Sequence, residues 1–360
     1  MQTSSFIGAV DIMSTQTATE RPILHGGRRE AMREAYPAAP QPWIDLSTGI
    51  NPIPYPIPTL PAECFTRLPD PEAATRLESI AAAAYHVSDA AMVAAAPGTQ
   101  ILIELLARLL PQQRIAILGP TYAEHQAAWA RGGGSVDLIP DLDDLPAASS
   151  LVLCNPNNPD GRIIPPARLR ALADHLAARG GLLVIDEAFA DLADRATSMA
   201  ATLPHPAIVI LRSFGKTYGL AGVRLGFALA DAPRAAAIRT ALGPWAVSGP
   251  AIAIGTIALA DPAWLAATQH RLTHAAATLD RLLTDAGMTI IGGTPLYRLA
   301  ATATAPDWHD RLARAGIMTR RFDDHPSWLR FGLPADHTAW ARLAAALSGN
   351  RPPLANHPDQ

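Results

Sequence analysis

The chain has 360 residues, 49% of them hydrophobic and 17% charged, with a formal net charge of −3. That length corresponds to about two domains at roughly 150 residues each, and that balance excludes wholesale disorder and a basic field for nucleic acid or anionic lipid. Apolar runs are short and interrupted, so no segment reads as a membrane span. The two cysteines, Cys64 and Cys154, fit a reducing cytosol rather than a disulfide framework, and a cytoplasmic location is expected.

Residues 1–22 are polar, lack the charged start and apolar core of a signal peptide, and read as a disordered N-terminus, with Met13 an alternative start. Residues 23–61 form a Pro-rich extended arm, from HGG through DLSTGINPIPYPIP, with little regular structure expected. A large domain is expected over 62–248. Its helices are predicted at 77–85, 101–110, 122–131 and 166–179, alternating with strands at 114–118, 135–139, 151–154, 182–185 and 208–211. Continuous apolar strands separated by helices define an α/β fold with a mostly parallel central sheet covered by helices. From Gly249 one long Ala-rich helix is predicted to Ala286. Strands at 289–291 and 296–300, a helix at 308–315, a strand near 329–332 and a last helix complete a smaller α+β C-terminal domain over 249–348. A tail, 349–360, follows.

Of the 29 lysines and arginines, Lys216 is the single lysine. Arginine does not deprotonate in proteins, whereas a lysine amine can lose its proton and attack a carbonyl. Ligands of open parallel sheets bind outside the carboxyl ends of the strands, and the polar residues collect there. Strand 151–154 runs into NPNNPDG, strand 182–185 into Asp186-Glu187-Ala188-Phe189, and strand 208–211 into Arg212-Ser213-Phe214-Gly215-Lys216. The turn Ala96-Pro97-Gly98-Thr99-Gln100 opens a helix whose free N–H groups suit a phosphate. Each motif alone has a plain structural explanation as a loop, a cap or a helix start. Together they supply what pyridoxal phosphate needs: a Schiff-base lysine, an acid for the pyridinium nitrogen and a phosphate site.

The segment SFGKTYGLAGVRLGFA, with NPNNPDG and DEAF in the same order and spacing, resembles the class I/II aminotransferases, fold-type I enzymes dependent on pyridoxal 5'-phosphate, over roughly residues 25–345. The resemblance implies that Lys216 bonds the cofactor, Asp186 pairs with its ring nitrogen, Asn158 bonds the ring hydroxyl and Tyr122 stacks on the ring. It further implies a phosphate site from Gly98, Thr99, Gln100, Ser213 and Arg224, with Tyr55 from the partner subunit of a homodimer. Arg330, in WLRFG, matches the arginine for the substrate carboxylate. Many relatives carry tyrosine three residues after the aspartate; here it is Phe189.

HGGRREA with WIDLSTGINPIPYP, PWAVSGPA and SWLRFGLP is similar to one branch of that family, the threonine-phosphate decarboxylases of cobalamin biosynthesis. There the substrate phosphate would be bound by His25, Gly26 and Gly27, and by Arg320 with Arg321 a further candidate, while Asn158 and Arg330 take the carboxylate. A flexible hinge is the plain alternative for HGG. The competing branch is histidinol-phosphate aminotransferase, which uses the same lysine, aspartate and arginines. A nicotinamide dehydrogenase would need GxGxxG after a strand, which is not found. No metal site is expected: His86, His125, His175, His270 and His274 lack ligand spacing and read as surface or structural. Cys154 reads as a small buried hydrophobe, and Trp245 as either lining the site or packing.

Overall fold

The computed structural model describes residues 25–110, 114–146 and 150–348. The expectations for residues 1–22, Met13 and 349–360 lie outside the described residues. In the arm, helix Arg29–Ala35 precedes a two-residue strand β1 (Ile44–Asp45), so the arm carries more regular structure than its prolines announce.

The central sheet is built from β2 (Val93–Ala96), β3 (Arg114–Leu118), β4 (Ser135–Ile139), β5 (Ser150–Cys154), β6 (Leu182–Asp186), β7 (Ile208–Ser213) and β8 (Gly226–Leu229). Its order is β2-β8-β7-β6-β5-β3-β4, with β8 antiparallel to both neighbours and the remaining pairs parallel. Strands β5, β6 and β7 are buried along their whole length, as expected of strands covered on both faces. The sequence patterns matched the five parallel strands. They missed β2, whose VAAA has little strand propensity, and β8, which pairs in the opposite direction.

The predicted helix from Gly249 to Ala286 is two helices, Gly249–Leu259 and Pro262–Asp285, bent by 79°. The break is local chemistry. Pro262 starts a new helix, and Asp261 caps it by accepting from the Trp264 N–H at 2.9 Å. The two halves serve different cores. Ile252, Ile254 and Leu259 join Leu77 and Phe227 under the central sheet. Leu272, Leu279 and Leu283 join Tyr297, Trp308 and Phe331. No single helix among the described residues is long and apolar enough to cross a membrane.

The second core carries an antiparallel sheet of β9 (Thr289–Thr294), β10 (Tyr297–Ala301), β12 (Arg320–Arg321) and β13 (Trp328–Gly332), in the order β12-β13-β10-β9. Between them β11 (Ile317–Met318) pairs in parallel with β1, so the arm is stitched to this unit. Its other end is stitched to the lysine turn. Asn51 donates from its amide to Thr217 O at 2.8 Å and from its backbone to Lys216 O at 2.9 Å, and Tyr55 N–H reaches Tyr218 O. From the second core, the Tyr297 hydroxyl donates to Asn157 O at 2.7 Å. At Gly161, with φ +75°, a Cβ would lie 1.9 Å from Gly293 O, so only glycine lets the NPNNPDG loop meet β9.

Candidate active site

A cavity of about 540 Å³ opens at the carboxyl ends of β5, β6 and β7, where a parallel sheet is expected to hold its ligand. Its floor contains Asn158, Asp186, Ser213 and Lys216, each delivered by the end of a strand. Gly98, Thr99, Gln100, Tyr122 and Arg224 line one flank, and His25, Gly26 and Arg330 another. An adjoining chamber of about 610 Å³ shares His25, Gly26, Tyr122, Asn158 and Arg330, and adds Arg320 and Arg321. Two predicted residues line neither space. Gly27 donates its N–H to Ser47 Oγ at 2.7 Å, and Tyr55 is buried in its own chain, where its hydroxyl bonds Asp261 Oδ2 at 3.2 Å. Trp245 stands 57% exposed, away from both spaces.

Lys216 is half-buried, with no acidic partner in salt-bridge contact among the described residues. Burial lowers its pKa to about 8, helped by the Arg330 and Arg224 guanidinia and opposed by Asp186. Its Nζ lies 6.0 Å from the Phe189 ring centroid, and that ring meets Tyr297 edge-on at 5.0 Å, so position 189 presents carbon to the cavity.

Asp186 is buried and accepts from the Ala188 N–H at 3.0 Å on Oδ1. Its Oδ2 lies 3.0 Å from His125 Nε2. His125, expected to be surface or structural, is instead fully inside and backs the aspartate. Burial disfavours its cation, but the adjacent Cys154 sulfur and the Asp186 carboxylate outweigh that and hold its pKa up at about 10. Cys154 also accepts from the Thr121 hydroxyl at 3.1 Å and lines the cavity, so it is more than a core hydrophobe. The ligand atoms of His125, Cys154 and Asp186 fall within 4.8 Å of one another. In this cluster His125 and the Ala188 N–H fix the two oxygens of Asp186 from behind the cavity. His125 was legible in principle: it sits three residues after Tyr122 on the helix Ala123–Arg131, whose first turn faces the strand ends.

Four guanidinia, those of Arg224, Arg320, Arg321 and Arg330, line the cavities with no carboxylate in salt-bridge contact among the described residues. Arg224, at φ 56°, lies against Gly98, where a Cβ would come within 2.6 Å of its Nη2. Gly98 itself has φ +87° and precedes helix Thr99–Leu109, so the turn brings a guanidinium onto a helix N-terminus. Arg330 is buried, with its Nε unpartnered. It donates from Nη1 to Asn158 Oδ1 at 2.5 Å and from Nη2 to Ser47 O at 3.0 Å, and it stacks 4.9 Å from the Tyr297 centroid. Burial pushes its pKa down to about 10. Arg320 lies 5.7 Å from the Phe322 centroid, and burial lowers its pKa too. Of these only Arg330 is buried, and a buried cation without a counter-charge is costly and is expected where an anion arrives.

The Tyr122 hydroxyl donates to Gln100 Oε1 at 3.2 Å, and burial followed by the Glu124 charge raises its pKa to about 12, so it stays protonated. Glu124, unremarked in the sequence reading, lines the cavity beside it.

A helix-covered parallel sheet with a buried amine, a supported carboxylate and a helix-terminal cradle defines the class of pyridoxal-phosphate enzymes built on the fold-type I scaffold. The model of the family aminotransferase class I and II matches residues 59–346, and the chain belongs to this family. It is 43% identical over 330 residues to a threonine-phosphate decarboxylase from Sinorhizobium sp, covering 91% of this chain and 98% of that protein. It is 30% identical over 251 residues to a histidinol-phosphate aminotransferase from Shewanella amazonensis, covering 64% and 68%. Among solved structures, histidinol-phosphate aminotransferase from Sinorhizobium meliloti in complex with pyridoxal 5'-phosphate shares the fold at a TM-score of 0.78 and 22% identity, covering 94% and 98%.

The family cofactor is pyridoxal 5'-phosphate, and the residues present fit it: an amine with a lowered pKa, a buried carboxylate for the ring nitrogen, and the Gly98–Arg224 cradle for the phosphate. Because the folded pKa of Lys216 is below the ordinary lysine value, the reactive amine predominates above pH about 8 rather than above 10.5. The rate at which apo-protein takes up the aldehyde cofactor is expected to rise with pH and level off beyond about 8. Absorbance traces after mixing measure it. A midpoint near 10.5 would contradict the buried setting of Lys216.

Proposed function

We propose that the protein is a pyridoxal-phosphate-dependent carboxy-lyase that converts L-threonine O-3-phosphate to (R)-1-amino-2-propanol O-2-phosphate and carbon dioxide, the linker of the cobalamin nucleotide loop. The observation that carries this reading is a pair of adjoining cavities that share His25, Gly26, Asn158 and Arg330, with Arg320 added in the second. Arg330 with Asn158 sits beside Lys216, and Arg320 with His25 and Gly26 of the arm surrounds the adjoining chamber. One site suits a carboxylate and the other a phosphate on the same small molecule. The likeness to the Sinorhizobium decarboxylase over nearly all of both chains supports the choice.

When bound, the cofactor supplies a cationic ring that takes up the electron pair left at Cα. Asp186, backed by His125, holds the proton on the ring nitrogen, and Asn158 and Tyr122 orient the ring. Thr99, Gln100, Ser213 and Arg224 would hold the cofactor phosphate, with Gly98 keeping the turn open; a homodimer belongs to this reading, but Tyr55, buried on Asp261 of its own chain, is not placed to complete a second copy's site. Arg330 orients the substrate carboxylate. Both of its Nη atoms already hold neutral acceptors, so it positions that group without neutralising it through a full fork. A carboxylate bound too tightly would resist leaving as carbon dioxide, because binding the ground state as well as the transition state gains no rate. The amine of Lys216 delivers a proton to Cα after carbon dioxide departs. Phe189 offers no donor where many relatives have a hydroxyl. An N-terminal arm over 23–61, a large domain over 62–248 and a small one over 249–348, and a cytoplasmic location, belong to the same reading.

The test is a carbon dioxide assay on the cofactor-loaded protein with L-threonine O-3-phosphate and no 2-oxo acid. Sustained release with aminopropanol phosphate accumulating is expected. A single half-turnover, relieved by 2-oxoglutarate with histidinol phosphate, would replace this reading by the aminotransferase one.

A further inference from the structure

We propose that Glu124 is a positioning residue that latches the arm over the cavity by holding His25. This rests on the reading of His25 as a phosphate ligand, and it explains a feature that reading leaves unexplained. Besides Asp186, Glu124 is a carboxylate lining a cavity whose guanidinia point to anionic ligands, and by itself it would repel them.

Its charge is spent elsewhere. Oε1 lies 2.8 Å from His25 Nε2, across 99 residues of sequence. Oε2 accepts from Gln100 Nε2 and from Arg131 Nη2, each at 3.4 Å. Arg131 in turn ion-pairs with Glu104. The result is a chain of polar contacts, His25–Glu124–Arg131–Glu104, that runs from the arm across helix Ala123–Arg131 to helix Thr99–Leu109. The Glu124 side chain is 13% exposed and that of His25 46%, so the contact closes the solvent side of the cavity.

The geometry also sets how His25 is presented. A carboxylate only accepts, so Nε2 of His25 carries the hydrogen in this contact. Nδ1, which has no hydrogen bond among the described residues, is left for a ligand, and it donates to a phosphate from the imidazolium form, in which both ring nitrogens carry hydrogen. Next to it the arm is pinned a second time: Gly26 packs so closely on Ser47 that a Cβ would lie 2.3 Å from Ser47 O, and Gly27 bonds Ser47 Oγ. The backbone of the HGG turn is fixed by Ser47, and its imidazole by Glu124.

Glu124→Ala frees the imidazole while leaving the Ser47 contacts. Two readouts separate this inference from the functional one. In the holoenzyme without substrate, trypsin is expected to cut the arm at Arg28, Arg29 and Arg33 several-fold faster in Glu124→Ala than in the parent, with the cofactor absorbance unchanged. With L-threonine O-3-phosphate, KM is expected to rise about tenfold, the scale of one charge-assisted hydrogen bond, and more than kcat falls. The double variant His25→Ala/Glu124→Ala should be no worse in KM than His25→Ala alone. Equal tryptic rates, or additive losses in the double variant, would overturn the latch. Faster cleavage without any carbon dioxide release from either protein would sustain the latch and overturn the decarboxylase reading.

Discussion

Replacing Lys216 with alanine is expected to remove the visible absorbance of the lysine-bound cofactor and to lower decarboxylation by more than about a thousandfold, since nucleophile and proton donor are lost in one change. No other lysine exists in the chain to take its place. The nearest cations, Arg330 and Arg224, cannot deprotonate to attack a carbonyl. The substitution removes a half-buried amine without a salt-bridge partner, so the fold should survive and the melting temperature should hold or rise. Absorbance and turnover after reconstitution read the result. A Lys216→Ala protein that stays yellow and active would refute the assignment of the site.

The second large effect is at Arg330. Arg330→Lys keeps a charge but loses the planar fork, and KM for L-threonine O-3-phosphate is expected to rise by one to two orders of magnitude, roughly the worth of a charge-assisted pair. Lysine cannot reach both Asn158 Oδ1 and Ser47 O as the two Nη atoms do. Arg330 is also a liability to the empty fold, being buried with its Nε unpartnered and its pKa pushed down to about 10. A buried unpaired charge is often replaced by an apolar side chain at no cost to stability. Arg330→Met is therefore expected to be inactive yet to melt no lower than the parent as apo-protein. A sharp loss of melting temperature would mean that Arg330 holds the fold through Asn158 and Ser47 rather than serving a ligand.

The fold class was readable because β3, β5, β6 and β7 carry continuous apolar runs separated by helices, the pattern of a sheet covered on both faces, while β4 at the sheet edge is mixed. The elements that escaped are those whose identity depends on a partner. VAAA becomes β2 only because β8 lies beside it, and Ile317–Met318 becomes β11 only because the arm supplies β1. The bend at Asp261-Pro262 had a local signal, a capping aspartate before proline, hidden by the Ala-rich run on either side.

The sequence by itself determined the chemistry. A lone lysine, an aspartate at a strand end, NPNNPDG and a glycine-led helix start are local features, and local features set which functional groups are available and that they gather at one edge of a parallel sheet. Only the tertiary structure decided which groups support one another. His125 backs Asp186 across 61 residues, Asn158 meets Arg330 across 172, and His25 meets Glu124 across 99. Such pairs carry no periodicity and no spacing rule. They exist because right-handed crossovers return successive strand ends to the same edge, and because β1 and β11 draw the arm back over that edge.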